Sequence, residues 1–332
     1  NIFAAMMGSV DVIMLNSVGQ DAIAAGSLAT QYSGLVFMFY SGISSGSILL
    51  AAQYFGKKDF KALEAIEGIA LKCSLAVAVA FSVGASLFPE KLMRVYTADP
   101  VLISEGAEYL RIIWVFYLLW AVSNTYFSML RSANHVSVAT FFNGVGFFLN
   151  IILNAVFIFG FFGIEKMGIR GVALATCISQ AVCVAGCFIV SARSKDIKLK
   201  FSYMFIKSSS LAKDFFKMSL PALLNDVSWG AAFSAYVAIM GRLGSDVVAA
   251  NSIVCVVRNF ATVFCYAVAA VGGIIVGNLI GADKIDEAEK GAKEFLKVTV
   301  ITGAFGGLLI FISIPFVLKY ASLSTLAMHY LK

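Results

Sequence analysis

Apolar stretches of roughly 20 residues, long enough to cross a bilayer core of about 30 Å as a helix, recur along nearly the whole chain. The strict alternation of a barrel strand is absent, so the backbone must satisfy its hydrogen bonds within helices. The pattern predicts nine helices, at about residues 1–18, 25–52, 66–88, 108–131, 136–161, 170–193, 215–241, 246–278 and 292–319.

Residues 19–72 and 244–297 form an internal repeat. They align without gaps at an offset of 225 residues, and ten of the 54 aligned positions carry the same amino acid. The identical positions mark a turn, a helix start rich in small residues, and a glycine that ends an apolar run. Many secondary transporters build a central binding site between two related helix bundles of this kind.

The repeat and the apolar pattern together predict an all-α polytopic membrane protein. It would have two pseudo-symmetric six-helix lobes, the second truncated to about three helices. Residues 1–193 would form the N-terminal lobe, residues 194–214 a cytoplasmic linker, and residues 215–332 a partial C-terminal lobe. We expect a fragment that lacks part of its first helix and the last three helices of the second lobe, and that is inactive by itself.

The composition agrees with this class, because 60% of the residues are hydrophobic and only 13% are charged. Sixteen of the 25 Lys and Arg residues lie in one set of loops that includes the linker, so we place these loops in the cytoplasm of a cell-membrane protein. No P-loop, HExxH or DDxxD motif is present, and the six cysteines form no CxxC pair. We therefore expect no enzyme activity, no metal centre, no cofactor and no nucleic-acid partner.

Asp11 is a candidate coupling residue inside the first predicted helix. It precedes the loop at Gly19 by two turns, which corresponds to a depth of roughly 12 Å at 1.5 Å per residue. A carboxylate desolvated at that depth can take up and release a proton near neutral pH. The structural alternative is an aspartate that bonds a neighbouring helix or lies nearer the interface.

Asp226 and Trp229 are three residues apart in PALLNDVSWGAAF and share one helix face. An acid beside a large aromatic ring suits an organic cation, and Tyr236 on the same helix joins this substrate-binding set. The alternative is a bond to Asn225 that only locks two helices. Arg258, in a later helix, is the fourth candidate. It could pair with the buried acids, extend to the interface or fix packing.

Asn150 and Asn154 lie four residues apart on one face of the fifth predicted helix. Their amide oxygens could coordinate Na⁺ or hydrogen-bond a carboxylic acid. Asparagines also hold membrane helices together, with a contribution of about 1 kcal/mol each, so the spacing leaves both roles open.

Several strings resemble the multidrug and toxic compound extrusion (MATE) family, in its bacterial branch. VDVIMLNSVGQDAIAAGSL is similar to the family's first helix and following loop, and AAQYFGKKD is similar to its turn after the second helix. FLNIILNAVFIFG and PALLNDVSWGAAFSAYVAIMGRLGSDVVAANSI resemble later helices in the same order. The resemblance covers all 332 residues and implies a V-shaped pair of lobes that exports compounds by ion-driven antiport.

The resemblance also implies roles for individual residues. Asp11 matches the carboxylate on which the coupling ion acts, and Asn150, Asn154 and Thr176 match the other positions of that site. Some members carry an aspartate where this chain has Asn154. The missing negative charge favours H⁺ over Na⁺ as the coupling ion, although Na⁺ at these four residues stays an alternative. Asp226 stands where the bacterial branch commonly has glutamate.

The function expected from the sequence is cation-coupled export of amphipathic, often cationic, organic compounds by a monomeric protein surrounded by lipid. A lipid-linked oligosaccharide flippase of the same superfamily is an alternative, but it would need a strongly basic cavity. A non-transporting membrane sensor or channel is a second alternative, which the repeat disfavours.

Overall fold

The structure is a computed structural model and describes residues 14–15, 20–163, 165–194, 197–206, 208–243 and 245–320. Within these residues it contains nine α-helices and two short 3₁₀ helices, Phe161–Gly163 and Phe201–Phe205. The α-helices are α1 (Gln20–Gly56), α2 (Phe60–Leu87), α3 (Pro89–Tyr96), α4 (Pro100–Ser132), α5 (Val136–Phe159), α6 (Gly168–Arg193), α7 (Ser209–Leu243), α8 (Ser245–Gly281) and α9 (Ile285–Tyr320).

Eight of the nine predicted helices have a counterpart here, and the first predicted segment, residues 1–18, lies almost wholly outside the described residues. Seven spans in the described part of the chain are long and apolar enough to cross a membrane, which confirms the polytopic helical class. The short helix α3 was not predicted. It starts at Pro89, a residue suited to a first helical turn, and its charged residues interrupt the apolar pattern.

The sequence repeat is also a repeat of structure. Helices α1 and α8 are both 37 residues long, and their ends differ by the repeat offset. The turns that follow them match as well, since φ is 58° at Lys58 and 59° at Asp283. The amide of Lys58 donates to the Phe55 carbonyl over 2.9 Å, and that of Asp283 donates to the Ile280 carbonyl over 3.1 Å. In both copies a left-handed residue ends one helix and lets the next begin at once.

The chain divides into two compact units, with the boundary inside α7 between Leu223 and Leu224. In the unit that ends at Leu223, α4 lies at the centre and packs against α1, α2, α3 and α6, while α5 packs on α6. One apolar cluster surrounds Tyr126 and Leu130 near the end of α4, and a second surrounds Tyr117 nearer its start.

The unit that begins at Leu224 holds the rest of α7 together with α8 and α9, which pack side by side. Apolar side chains on α9 stay exposed, at 66% for Leu296, 67% for Ile301 and 73% for Phe311. An exposed apolar face of this size suits contact with lipid or with further helices.

Helix α1 and the first half of α7 come unusually close at two glycines. A Cβ atom added at Gly42 would lie 2.7 Å from Cα of Leu223, and one added at Gly46 would lie 2.5 Å from Cα of Ser219. Glycines four residues apart expose a strip of backbone, which allows membrane helices to approach each other closely. Gly46 and Ser219 are each ten residues from the helix end on the linker side, so this contact lies deep in both helices.

Candidate functional site

Helices α5 and α6 bring Asn150, Asn154 and Thr176 into one hydrogen-bonded chain. The Asn154 side-chain amide donates to Oδ1 of Asn150 over 3.2 Å, and the Asn150 amide donates to Oγ1 of Thr176 over 3.1 Å. The Thr176 hydroxyl then donates to the Val172 carbonyl over 2.9 Å. Because Asn150 and Asn154 are one helical turn apart, both face α6. We call these three side chains the amide chain.

The amide chain is enclosed by close packing between the two helices. Asn150 and Asn154 are fully buried, and Thr176 is 6% exposed. Gly146, one turn before Asn150, permits this approach, because a Cβ atom there would lie 2.5 Å from Sγ of Cys183. A larger residue at position 146 would therefore push α5 away from α6 and break the hydrogen bonds of the amide chain.

The amide chain is neutral, and two of its oxygens already accept hydrogen bonds. An amide oxygen has a second lone pair, so Oδ1 of Asn150 can accept a further donor or contribute to cation binding without breaking the chain. Within the described ranges no group of three or more His, Cys, Asp or Glu side chains could hold a metal ion. Asp11, the carboxylate predicted for this site, lies outside the described residues.

A second candidate site lies on α7, where Asp226, Trp229 and Tyr236 share one face. Phe233 fills the gap between the two predicted aromatic residues. Its ring centroid is 4.3 Å from that of Trp229 and 6.4 Å from that of Tyr236. Trp229 is 55% exposed and Tyr236 is 43% exposed, so this aromatic stripe is accessible.

Arg258 of α8 joins the aromatic stripe through Phe233. Its guanidinium carbon lies 4.5 Å from the centroid of the Phe233 ring, a distance at which a cation is attracted to the ring face. Asp226 contributes a carboxylate oxygen, Oδ2, that is buried without a hydrogen-bond partner among the described residues. The stripe therefore offers ring faces that already hold one cation and a carboxylate oxygen with free acceptor capacity.

The sequence prediction missed Phe233, although its spacing offered a signal. Residues 226, 229, 233 and 236 follow the i, i+3, i+7, i+10 order of a single helix face. A search for aromatic residues at helical spacing from Asp226 would have included it. The structure thus brings together Asn150, Asn154 and Thr176 in one unit, and Trp229, Tyr236 and Arg258 around Phe233 in the other.

A cavity of about 590 Å³ lies between α3 and α4, at the end of α4 opposite the linker. Its lining includes Glu90, Glu108 and Arg111, and Arg111 forms an ion pair with Glu90. At its edge Arg170 donates to both carboxylate oxygens of Glu108, over 2.7 and 2.6 Å. Exposed ion pairs contribute about 0–1 kcal/mol, and none of the predicted site residues that the structure describes lines this cavity.

Apolar spans, a repeated helix pair and buried polar groups within the spans define a polytopic α-helical membrane protein. The sequence matches the MatE family over residues 1–156 and 221–332. The chain belongs to this family, which confirms the resemblance noted from the motifs. MatE proteins are membrane transporters and not enzymes.

Two proteins of Bacillus subtilis (strain 168) are among its relatives. The chain is 22% identical over 288 residues to "Uncharacterized transporter YisQ", covering 85% of this chain and 62% of that protein. It is 26% identical over 298 residues to "Probable multidrug resistance protein YoeA", covering 88% of this chain and 63% of that protein. The chain thus spans about three-fifths of the length of these relatives.

A solved structure described as the outward-facing conformation of a multidrug resistance MATE family transporter of the MOP superfamily has the same fold. The TM-score is 0.85 at 20% sequence identity, and the match covers 99% of this chain and 73% of the other. At this level of identity the likeness shows the fold alone.

Proposed function

We propose that this protein is a cation-coupled antiporter that exports amphipathic, often cationic, organic compounds across the cytoplasmic membrane by alternating access. The observation that carries the proposal is the amide chain, a fully buried polar network within two apolar helices. Polar groups at such a position mark ion and substrate pathways in membrane proteins.

In this proposal Asp11 supplies the ionisable group and the amide chain supplies its neutral partners. We favour H⁺ as the coupling ion. A proton needs one basic atom, whereas Na⁺ needs several oxygens turned toward it, and Oδ1 of Asn150 and Oγ1 of Thr176 already accept hydrogen bonds. Four oxygen-bearing residues, Asp11 included, would form the Na⁺ site if Na⁺ is the coupling ion.

The aromatic stripe is the proposed contact surface for the exported compound. Cation–π attraction to an exposed ring contributes about 0.5–1 kcal/mol and more when the cation is desolvated. Trp229 and Tyr236 would hold the apolar and cationic parts of the compound, and the carboxylate of Asp226 would balance its charge. Arg258 lies over the Phe233 ring between them and would compete with a bound cation at that ring.

The proposed cycle links the two sites through the ionisation of Asp11. Protonation of Asp11 weakens its contacts to neighbouring helices or its hold on the compound, which then leaves outward as the proton enters. Exchange of one proton for one singly charged cation moves no net charge across the membrane, so the pH gradient drives it. For a compound without net charge, the inward movement of one unit charge across a potential of 100 mV releases about 2.3 kcal/mol in addition.

Transport into inverted membrane vesicles tests the proposal, with a fluorescent organic cation as the probe. We expect uptake to collapse with the H⁺ gradient, to survive collapse of the Na⁺ gradient, and to disappear in Asp11→Asn. Asn154→Ala should lower uptake several-fold. Asn143→Ala, on the same helix, should not, because Asn143 only donates to the Ala139 carbonyl of its own helix.

Substitution of the aromatic stripe tests the substrate surface separately. Trp229→Ala should raise the KM for the organic cation about threefold to tenfold, as expected for the loss of a cation–π contact, with kcat little changed. Phe216→Ala, an exposed aromatic residue earlier on α7, is the matched control and should leave KM unchanged. Equal effects of the two variants would remove the stripe from the proposal. Absence of cation transport under every gradient would favour the flippase alternative.

A further inference from the structure

The linker between the two predicted lobes contains a segment that is docked on the unit ending at Leu223. Along residues 197–200 the side chains alternate, with Ile197 and Leu199 buried and Lys198 and Lys200 exposed. Tyr203, in the 3₁₀ helix that follows, is only 5% exposed. We call residues 197–206 the strap. In an extended segment successive side chains point to opposite sides, so residues 197–200 bury one side against the helices and expose the other to solvent.

Hydrogen bonds fix the strap to three different helices. Its Leu199 amide donates to Oγ of Ser191 on α6 over 2.7 Å, and the Tyr126 hydroxyl on α4 donates to the Ile197 carbonyl over 3.2 Å. The Tyr203 hydroxyl donates to Oε1 of Glu64 on α2 over 2.7 Å. The strap therefore cannot lift away from the helices without breaking these three hydrogen bonds.

Tyr203 remains a donor over the physiological pH range. Burial, its hydrogen bond to Glu64 and the negative charge of Glu64 raise the pKa of the Tyr203 phenol well above its ordinary value. Gly68 allows this contact, because a Cβ atom there would lie 2.1 Å from the carbonyl oxygen of Tyr203.

Beneath the strap lies the carboxyl group of Glu67, a residue of α2. The side chain of Glu67 on α2 is 3% exposed, and its Oε1 has no hydrogen-bond partner in the described part of the chain. The titratable groups that interact with it are Glu64 on the same helix, Tyr126 on α4, Cys187 on α6 and Tyr203 of the strap. None of these described groups is a cation.

The second copy of the repeat forms the same pair of helices without a buried carboxyl at this position. In the second repeat Ala292 occupies the position of Glu67, and Lys293 occupies the position of Gly68. Glu64 has a glutamate counterpart, Glu289, whose carboxylate pairs with Lys293. The combination of a buried glutamate and a strap is therefore special to the first copy.

We propose that Glu67 is a second proton-binding site of this protein, and that the strap closes over Glu67 when it is protonated and opens when it ionises. A carboxyl enclosed without a counter-charge is accommodated in its neutral form, because a buried unpaired charge loses its hydration. Lifting the strap readmits water to Glu67, so opening and ionisation favour each other. Glu67 lies in the second turn of α2, close to the predicted cytoplasmic surface, and would therefore respond to the pH of the cytoplasm.

Hydrogen exchange of the Leu199 amide in the lipid-embedded protein tests this proposal, with wild type compared with Glu67→Gln at each pH. The ratio of the two exchange rates cancels the intrinsic pH dependence of exchange. We expect the wild-type rate divided by the Glu67→Gln rate to be near one at about pH 5. This ratio should then rise by up to about tenfold per pH unit, as long as Glu67 in the closed form retains its proton. Amides of α5 should exchange at equal rates in both proteins.

Two further variants identify the titrating group. Glu67→Ala copies the residue of the second repeat, is also neutral, and should behave like Glu67→Gln even if the glutamine packs poorly. Glu64→Gln keeps an oxygen that can accept from Tyr203 and should retain the wild-type pH dependence. A ratio of wild-type to Glu67→Gln exchange rates that does not change with pH would overturn the proposal. So would a pH dependence that disappears in Glu64→Gln and persists in both Glu67 variants.

Discussion

Substitution of Gly46 by alanine tests the close contact between α1 and the first half of α7. The added Cβ atom would lie 1.9 Å from Oγ and 2.5 Å from Cα of Ser219. Rotation of the serine side chain can relieve the first contact, but only a shift of a helix backbone relieves the second. Gly34 on the same helix has no atom within 4 Å of its added Cβ, so Gly34→Ala is the matched control.

The magnitudes of two opposing effects decide the expected result. Alanine in place of glycine in a helix gains about 1 kcal/mol of helix propensity, and this gain applies at both positions. Overpacking of a close contact costs about 1–3 kcal/mol or more, and this cost applies at Gly46 alone. We therefore expect Gly34→Ala to stabilise the protein slightly. The free energy of unfolding of Gly46→Ala should lie about 1–3 kcal/mol below that of the control.

Unfolding in mixed detergent micelles, followed by circular dichroism, measures this difference. Ser219→Gly combined with Gly46→Ala completes a double-mutant cycle and should recover part of the loss, since contacting residues show coupling energies of about 0.5–3 kcal/mol. Equal stabilities of Gly46→Ala and Gly34→Ala, or a coupling energy of zero with Ser219→Gly, would refute the close contact between these helices.

Two smaller predictions concern the amide chain and the repeated turn. Thr176→Val removes the acceptor of the Asn150 amide, so the free energy of unfolding should fall by about 1–2 kcal/mol. Thr140→Val is the control and should change it little, because the exposed Thr140 hydroxyl bonds only to its own helix. Equal losses in the two variants would contradict the hydrogen bonds of the amide chain. Lys58→Gly relieves a positive φ and should raise thermal stability slightly, whereas Lys57→Gly should lower it, and the opposite order would contradict the turn geometry.

The sequence was sufficient for the helical class because its signals are strong and local. Apolar runs of membrane-spanning length predicted the helices, and the gapless offset predicted that α8 repeats α1. Helix ends were less predictable, since α9 begins at Ile285, in charged sequence that precedes the predicted start at residue 292 and carries no apolar signal. The helix α3 was missed because its eight residues are too few for a periodic pattern.

The candidate sites show a similar division between local and non-local information. The pairing of Asn150 with Asn154 follows from helical spacing on one helix, and so would the inclusion of Phe233 beside Trp229. The position of Arg258 over Phe233 could not be read from the chain, because it depends on how α8 packs against α7. The burial of Glu67 beneath residues that follow it by 130 positions or more is likewise a tertiary property.

The differences between the two repeats indicate where function has been added to a shared scaffold. The scaffold itself is retained, since helix lengths and turn geometry coincide in α1 and α8. At one aligned position Ser33 bonds to the Tyr117 hydroxyl over 2.9 Å, whereas Arg258 in the second copy lies over an aromatic ring. At another, Glu67 is buried and Ala292 is exposed. An ionisable side chain within an apolar helix is costly, and each copy carries one at a position where the other copy has an uncharged residue. Exchange of the residues between copies, through Glu67→Ala and Arg258→Ser, should therefore preserve folding and alter only the proton response in the first case and cation transport in the second.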